Sequence, residues 1–166
     1  RVWDSRGRPT VEAEVTLACG APGLAIAPAG ASTGSGEALD RRDGGTAFGG
    51  YDVKGAVAAV NEVIAPAILG MDAADQAGLD AKLIALDGTP NKSRLGANAT
   101  LSVSMAAAHA AAHANGMLLW KHLGGEDATL LPLPQIQILG GGAHAGRRVD
   151  IQDFLVICPA ATNFAE

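Results

Sequence analysis

The run from Ala97 to Asn115 most constrains the fold. It carries alanine at 97, 99, 106, 107, 108, 110, 111, 112 and 114 and stops at Gly116. Alanine is the best helix former, and glycine just past the last turn is the usual stop. A helix so poor in side-chain volume gains stability only if something approaches it closely. Composition agrees: glycine, at 22 residues, is well above average, and charged residues, at 17%, fall below the ~25% of an ordinary domain.

Pro9 to Ala18 alternates, with Val11, Ala13, Val15 and Leu17 on one face and Glu12, Glu14 and Thr16 on the other. A period of two marks a half-buried strand. Gly20 to Gly23 makes a turn, Leu24 to Ala27 returns as a second strand, and Arg1 to Trp3 supplies a third. Ala56 to Leu69 has Val57, Val60, Ile64 and Ile68 at helical spacing, with Gly70 as its stop and Pro66 as an interruption. Asp72 predicts the N-cap of a helix reaching Leu86 with Leu79 and Leu83 inside. Asp87 to Gly96 is a loop, and Leu118 to Leu123 a short helix. A sheet followed by helices is an α+β unit. Beyond Glu126 to Leu131 the texture changes. Leu130 to Leu139 and Val149 to Ile157 are nearly continuous apolar runs, as in strands covered on both faces.

Several classes are excluded. At 166 residues and net charge −5, with 48% hydrophobic residues, the chain is too apolar for disorder. No apolar run reaches the ~20 residues of a membrane span; the best, Met105 to Ala114, is broken by His109 and by the neighbouring His113. The acidic balance without a basic patch argues against nucleic acid. Cys19 and Cys158 have no zinc or redox spacing, which reads as two reduced thiols. Arg1 begins no signal-peptide pattern. Asn163 followed by Glu166 is a capping-box variant, so a helix is expected to start where the sequence stops, as in an internal piece of a longer protein.

Few motifs carry chemistry on their own. Pro28 to Gly34 joins hinge glycines (Gly30, Gly34) to two hydroxyls, Ser32 and Thr33, with Ala31 between; hydroxyl oxygens suit Mg²⁺, and glycines suit a lid. It is not a Walker loop, and neither is Gly88 to Ser93, where Asn91 stands in place of glycine. His109 and His113 have the four-residue spacing of a metal pair but no third ligand. His144 sits in the glycine-rich loop Gly140 to Gly146 between the two apolar strands, and Asp150, Gln152 and Asp153 interrupt the second of them. A polar group within an apolar run needs a partner or a function.

Taken together, several segments resemble the enolase family. They are Asp4-Ser-Arg-Gly-Arg-Pro-Thr10, Gly30-Ala-Ser-Thr-Gly34, Ile64-Ala-Pro-Ala67, Leu86-Asp-Gly-Thr-Pro-Asn-Lys-Ser93, Leu95-Gly-Ala-Asn-Ala99, Leu131-Pro-Leu-Pro134 and Gly141-Gly-Ala-His-Ala145 with Gln152. They occur in the family's order and run from end to end. The resemblance implies an α+β capping domain over 1–128, an antiparallel three-stranded sheet followed by helices. The first two strands of an enolase-type β/α barrel follow over 129–166. It implies reversible dehydration of 2-phosphoglycerate to phosphoenolpyruvate, in the cytoplasm, with no nucleic acid and no membrane. A lysine takes the C2 proton, two Mg²⁺ ions meet the charge on the ene-diolate, and a glutamate helps the hydroxyl leave.

By the same resemblance Ser32 is the lid serine that helps bind Mg²⁺. His144 reaches the substrate, Gln152 lines its site, and Asp153 stands beside it where the family has glutamate. Glu12 matches a dimer-interface glutamate, which implies a homodimer. The metal-binding carboxylates, base lysine, second acid and phosphate-binding arginine would lie beyond Glu166, so the 166 residues alone are expected to be inactive and to hold Mg²⁺ weakly. Four departures stand out: Asp153 is a methylene short, Ala29 replaces serine, Gly140 replaces asparagine, and Arg147 and Arg148 add charge. These leave two alternatives: an enolase-like paralogue with a binding or scaffolding role, and another lyase of the broader superfamily.

Overall fold

The computed structural model describes residues 1–30, 33–163 and 165–166. Ala31 and Ser32 of the lid fall outside the described residues. Two compact units are present, one comprising residues 1–29 and 34–125 and the other built on residues 126–166.

The first unit opens with an antiparallel sheet in the order β1 (Val2–Trp3), β2 (Pro9–Thr16), β3 (Pro22–Ala27). The register sets Val11 against Ala27, Ala13 against Ala25 and Val15 against Gly23 on the inner face. Glu12 and Glu14 lie opposite Ile26 and Leu24 on the outer face. The alternation predicted for β2 therefore holds, and Val11 and Ala13 are buried.

Helix α4 (Ala97–Ala114) lies across β2 and β3, burying Ala99, Val103, Ala106, Ala107, Ala110 and Ala111. Its contact with the sheet is made backbone to backbone. A Cβ placed on Gly23 would fall 2.1 Å from the Ala106 carbonyl oxygen and 2.3 Å from the Ala110 nitrogen. The alanines thin one side of this interface, and Gly23 thins the other.

The segment expected as one helix over 56–69 has three parts: α1 (Lys54–Ala58), a π-helical stretch (Ala59–Ile64) and α2 (Ala65–Ile68). Pro66 explains the difference. It lacks an N–H, and its ring crowds the carbonyl four residues back, so the turn before it widens. Helix α3 (Gln76–Asp87) starts later than expected. Its N-cap is Asp75, which accepts from the Gly78 N–H at 2.9 Å, while Asp72 caps only a local turn through the Ala74 N–H. Both aspartates suit an N-cap, and Leu79 and Leu83 fix the phase by their burial. Ser104 ties α3 to α4 by donating to Asp80 at 2.7 Å and accepting from Gln76 at 2.9 Å. Helix α5 (Leu119–Gly124) closes the unit.

The second unit holds β4 (Gln135–Gly140) and β5 (Asp153–Ile157), paired antiparallel. Both are shorter than the apolar runs. Pro132 and Pro134 have no N–H to give a ladder, so β4 begins after them. Both strands are largely exposed, with Ile136, Ile138, Leu155 and Ile157 among the open side chains. The cover expected for both faces is thus not supplied within this unit. At the end, Asn163 accepts from the Ala165 N–H, and Glu166 accepts from the Thr162 N–H and hydroxyl. These are not the reciprocal Asn163–Glu166 bonds of a capping box, and no helix forms there among the described residues.

Two buried carboxylates contribute to the acid response of the first unit. Asp52 is held below its ordinary value by the Arg1 guanidinium at 2.8 Å, against the effect of burial. Burial pushes Asp87 up, and hydrogen bonds from Thr89 and Leu95 outweigh it, leaving that carboxyl lowered as well. A lowered folded value contributes stability above the unfolded pKa of about 3.9, and that stability is lost as pH falls through the folded value. Urea midpoints are expected to be flat from pH 7 to about 5 and to fall below about pH 4, less steeply in Asp87→Asn. An unchanged slope in that variant would remove Asp87 from the account.

Candidate functional site

Side chains of the first unit hold the residues that flank the lid, Ala29 and Gly34. In the Asp4 to Thr10 motif, the Asp4 carboxylate accepts from the N–H groups of Arg6 and Arg8 at 2.9 and 2.8 Å, folding a tight turn. That turn aims Arg6, whose guanidinium donates to the Ala29 carbonyl at 2.5 Å. Thr10, fully buried, donates to the Ala27 carbonyl at 2.6 Å. On the far side of the lid, Glu37 accepts from the Gly34 N–H at 2.8 Å. Ala29 and Gly34 are therefore each held by a side chain, with Gly30 between them.

The Leu86 to Ala99 run proves to be scaffolding. Buried Asp87 accepts from the Thr89 hydroxyl, the Thr89 N–H at 3.0 Å and the Leu95 N–H at 2.7 Å, so one carboxylate shapes the loop. The loop in turn holds the segment after the lid. Asn91 accepts from the Leu39 N–H at 2.7 Å, Arg94 accepts from Arg41, and Asn98 donates to the Arg41 carbonyl and accepts from its N–H.

In the second unit, His144, Gln152 and Asp153 come from one hairpin. His144 lies in a 3₁₀ turn, Gly142–Ala145, between β4 and β5. The turn folds onto the start of β5: the Gly141 N–H donates to Gln152 at 2.6 Å and the Gly142 N–H to Val149 at 2.7 Å. Gly141 has to be glycine, because a Cβ there would sit 1.9 Å from the Ile151 carbonyl oxygen. The hairpin thus draws the His144 loop to the backbone of Gln152, and all three side chains are exposed. Asp153 accepts from the Gln152 amide at 3.2 Å and from the Gln137 amide. Sequence reasoning missed Gln137; the signal available was a polar residue inside an apolar strand, the argument already applied to β5. Arg148 turns its Nε onto the Ala145 carbonyl at 3.2 Å, within its own loop.

The other candidates separate from this group. His113 Nδ1 is 3.1 Å from the Pro22 carbonyl oxygen, joining α4 to β3, which is a structural use. Cys19 and Cys158 are free and exposed. No group of three His, Cys, Asp or Glu side chains converges among the described residues. Asp153 alone, with both oxygens taken by amides, does not make a divalent-cation site, so the described residues do not by themselves fit Mg²⁺.

Comparison with known proteins decides the family. The family model described as the enolase N-terminal domain matches residues 1–123. The chain belongs to the enolase family. A second model, the enolase C-terminal TIM barrel domain, matches residues 128–166. An enolase of Acidothermus cellulolyticus is 57% identical over 165 residues, covering 99% of this chain and 38% of its own length. An enolase of Campylobacter jejuni is 58% identical over 165 residues, covering 99% of this chain and 40% of its own. The chain thus spans about two fifths of the length of these enolases. The three-stranded antiparallel sheet followed by helices agrees with the enolase N-terminal domain matched to it. Among the described residues no helix is long and apolar enough to cross a membrane.

Proposed function

We propose that the protein carrying this chain is a phosphopyruvate hydratase, which reversibly dehydrates 2-phosphoglycerate to phosphoenolpyruvate. The observation that carries this is the hairpin that presents His144, Gln152 and Asp153 together, in a chain of this family. Residues 1–128 form the capping domain, and 129–166, with the β4–β5 pair, begin the barrel. The exposed apolar sides of that pair are the surfaces the rest of the barrel would cover.

In this reading His144 reaches the substrate from its loop, Gln152 binds it, and Asp153 stands beside the reacting carbons. Gly30 to Gly34 would form the lid, and Ser32 would be its ligand to the metal. Mg²⁺, which the described residues do not hold by themselves, would supply charge stabilisation for the substrate carboxylate. Its other ligands, the base lysine and the phosphate-binding arginine belong to the length these 166 residues do not share with their relatives. The protein works in the cytoplasm as a homodimer, with Glu12 on the exposed face of the sheet at the interface.

Two results test this. The Ser32→Ala variant of the full-length protein is expected to lose about 10²-fold in turnover through a misplaced lid. The 166-residue chain alone is expected to show none. Unchanged turnover in Ser32→Ala would remove the lid serine from the mechanism, and turnover by the short chain would remove the need for the missing groups. The four departures, at Ala29, Gly140, Asp153 and the Arg147–Arg148 pair, favour one second reading, an enolase-fold protein kept for binding, and an inactive full-length protein would support it.

A further inference from the structure

We propose that Gln137 is a positioning residue for Asp153, and that Gly140 provides the space it needs. The proposal rests on the role proposed above for Asp153. Along the hairpin Gln137 pairs with Leu155, Leu139 with Phe154 and Gly140 with Asp153, so the register shifts at Ile138. A bulge of this kind re-aims side chains and recurs beside active sites. Here it leaves Gln137 diagonal to Asp153, a separation that a long side chain can span. The Gln137 Nε2 donates to Asp153 Oδ1, and the Gln152 Nε2 donates to Oδ2 at 3.2 Å. With an amide on each oxygen, the carboxylate has a fixed direction.

Gly140 completes the arrangement. A Cβ at that position would lie 3.3 Å from the Gln137 Nε2 and 3.7 Å from the His144 Cβ. A side chain there would crowd the amide that holds Asp153, while the His144 Cβ stays at ordinary contact distance. Two departures implied by the resemblance, the missing side chain at 140 and the missing methylene at 153, are thereby linked. The short acid is met by a long amide crossing the gap that glycine leaves. An exposed amide–carboxylate bond adds little to stability, because water competes for both groups. What it can set is direction, and a misplacement of about 1 Å at a reacting group costs about 10²-fold.

The test uses steady-state kinetics of the full-length protein with 2-phosphoglycerate, with melting temperatures as a folding control. Gln137→Leu is expected to lower kcat by about 10²-fold with KM little changed. In the Asp153→Ala background it should cost nothing further, because it acts through the carboxylate already removed. Gln137→Asn draws the amide back by one methylene and should also slow the enzyme. Adding Asp153→Glu extends the acid by one and should restore most of the rate. Full activity in Gln137→Leu, or an equal loss in both backgrounds, would overturn the proposal while leaving the reaction standing. A fully active Asp153→Ala would overturn it by removing the group it positions. No turnover from the unchanged protein would instead overturn the proposed function, and this inference with it.

Discussion

Gly23→Ala is expected to destabilise the protein by about 3 kcal/mol, the upper end of ordinary overpacking, and to lower its melting temperature by about 10 °C. The added methyl would meet the Ala106 carbonyl oxygen and the Ala110 nitrogen at 2.1 and 2.3 Å. Both are backbone atoms of α4, so trimming an alanine on the helix relieves nothing. The helix has to lift from β3, and every alanine contact it makes with the sheet loosens. Gly36→Ala is the control, since a Cβ there meets nothing within 4 Å. That change should stay within about 0.5 kcal/mol. Equal effects from the two substitutions would show that the helix–sheet interface yields, contrary to its backbone-to-backbone packing.

Asp87→Ala is expected to cost a similar amount, about 3 kcal/mol, for a different reason. The carboxylate is 1% exposed and serves the Thr89 hydroxyl and the N–H groups of Thr89 and Leu95. Removing it strands buried donors and frees the loop over 88–96. That loop holds Leu39 through Asn91 and Arg41 through Arg94. Amide exchange at Leu39 and Leu95 should therefore rise in Asp87→Ala well beyond the change at β2. Asp87→Asn, which keeps the shape and one acceptor, should cost less. Local exchange that rises equally everywhere would mean the loop has no stability of its own to lose.

Much of this architecture was legible in the sequence, and particular residues show where legibility stops. The alternation at Val11, Ala13 and Val15 survives because one face of β2 is buried and the other is wet. The alanines of α4 announced a close contact, but its partner, Gly23, is set by a register that no single strand encodes. Asp72 and Asp75 are equally good caps by chemistry, and only the burial of Leu79 and Leu83 chooses between them. Pro66 signalled a break but not its form, because a widened turn and a kink both accommodate a missing N–H.

The site follows the same pattern. His144, Gln152 and Asp153 stood out as polar groups in an apolar and glycine-rich context. Gln137 stood in the same context and was passed over, because its meaning depends on a bulge at Ile138. The Leu86 to Ala99 run carried the most specific part of the family resemblance, and its side chains work as scaffolding. Specific sequence marks what a fold needs as readily as what a reaction needs.

The full-length protein that carries this chain should be given 2-phosphoglycerate, with and without Mg²⁺, and phosphoenolpyruvate followed by its ultraviolet absorbance. The expected result is turnover that requires Mg²⁺. A folded, dimeric protein that forms no phosphoenolpyruvate would contradict it.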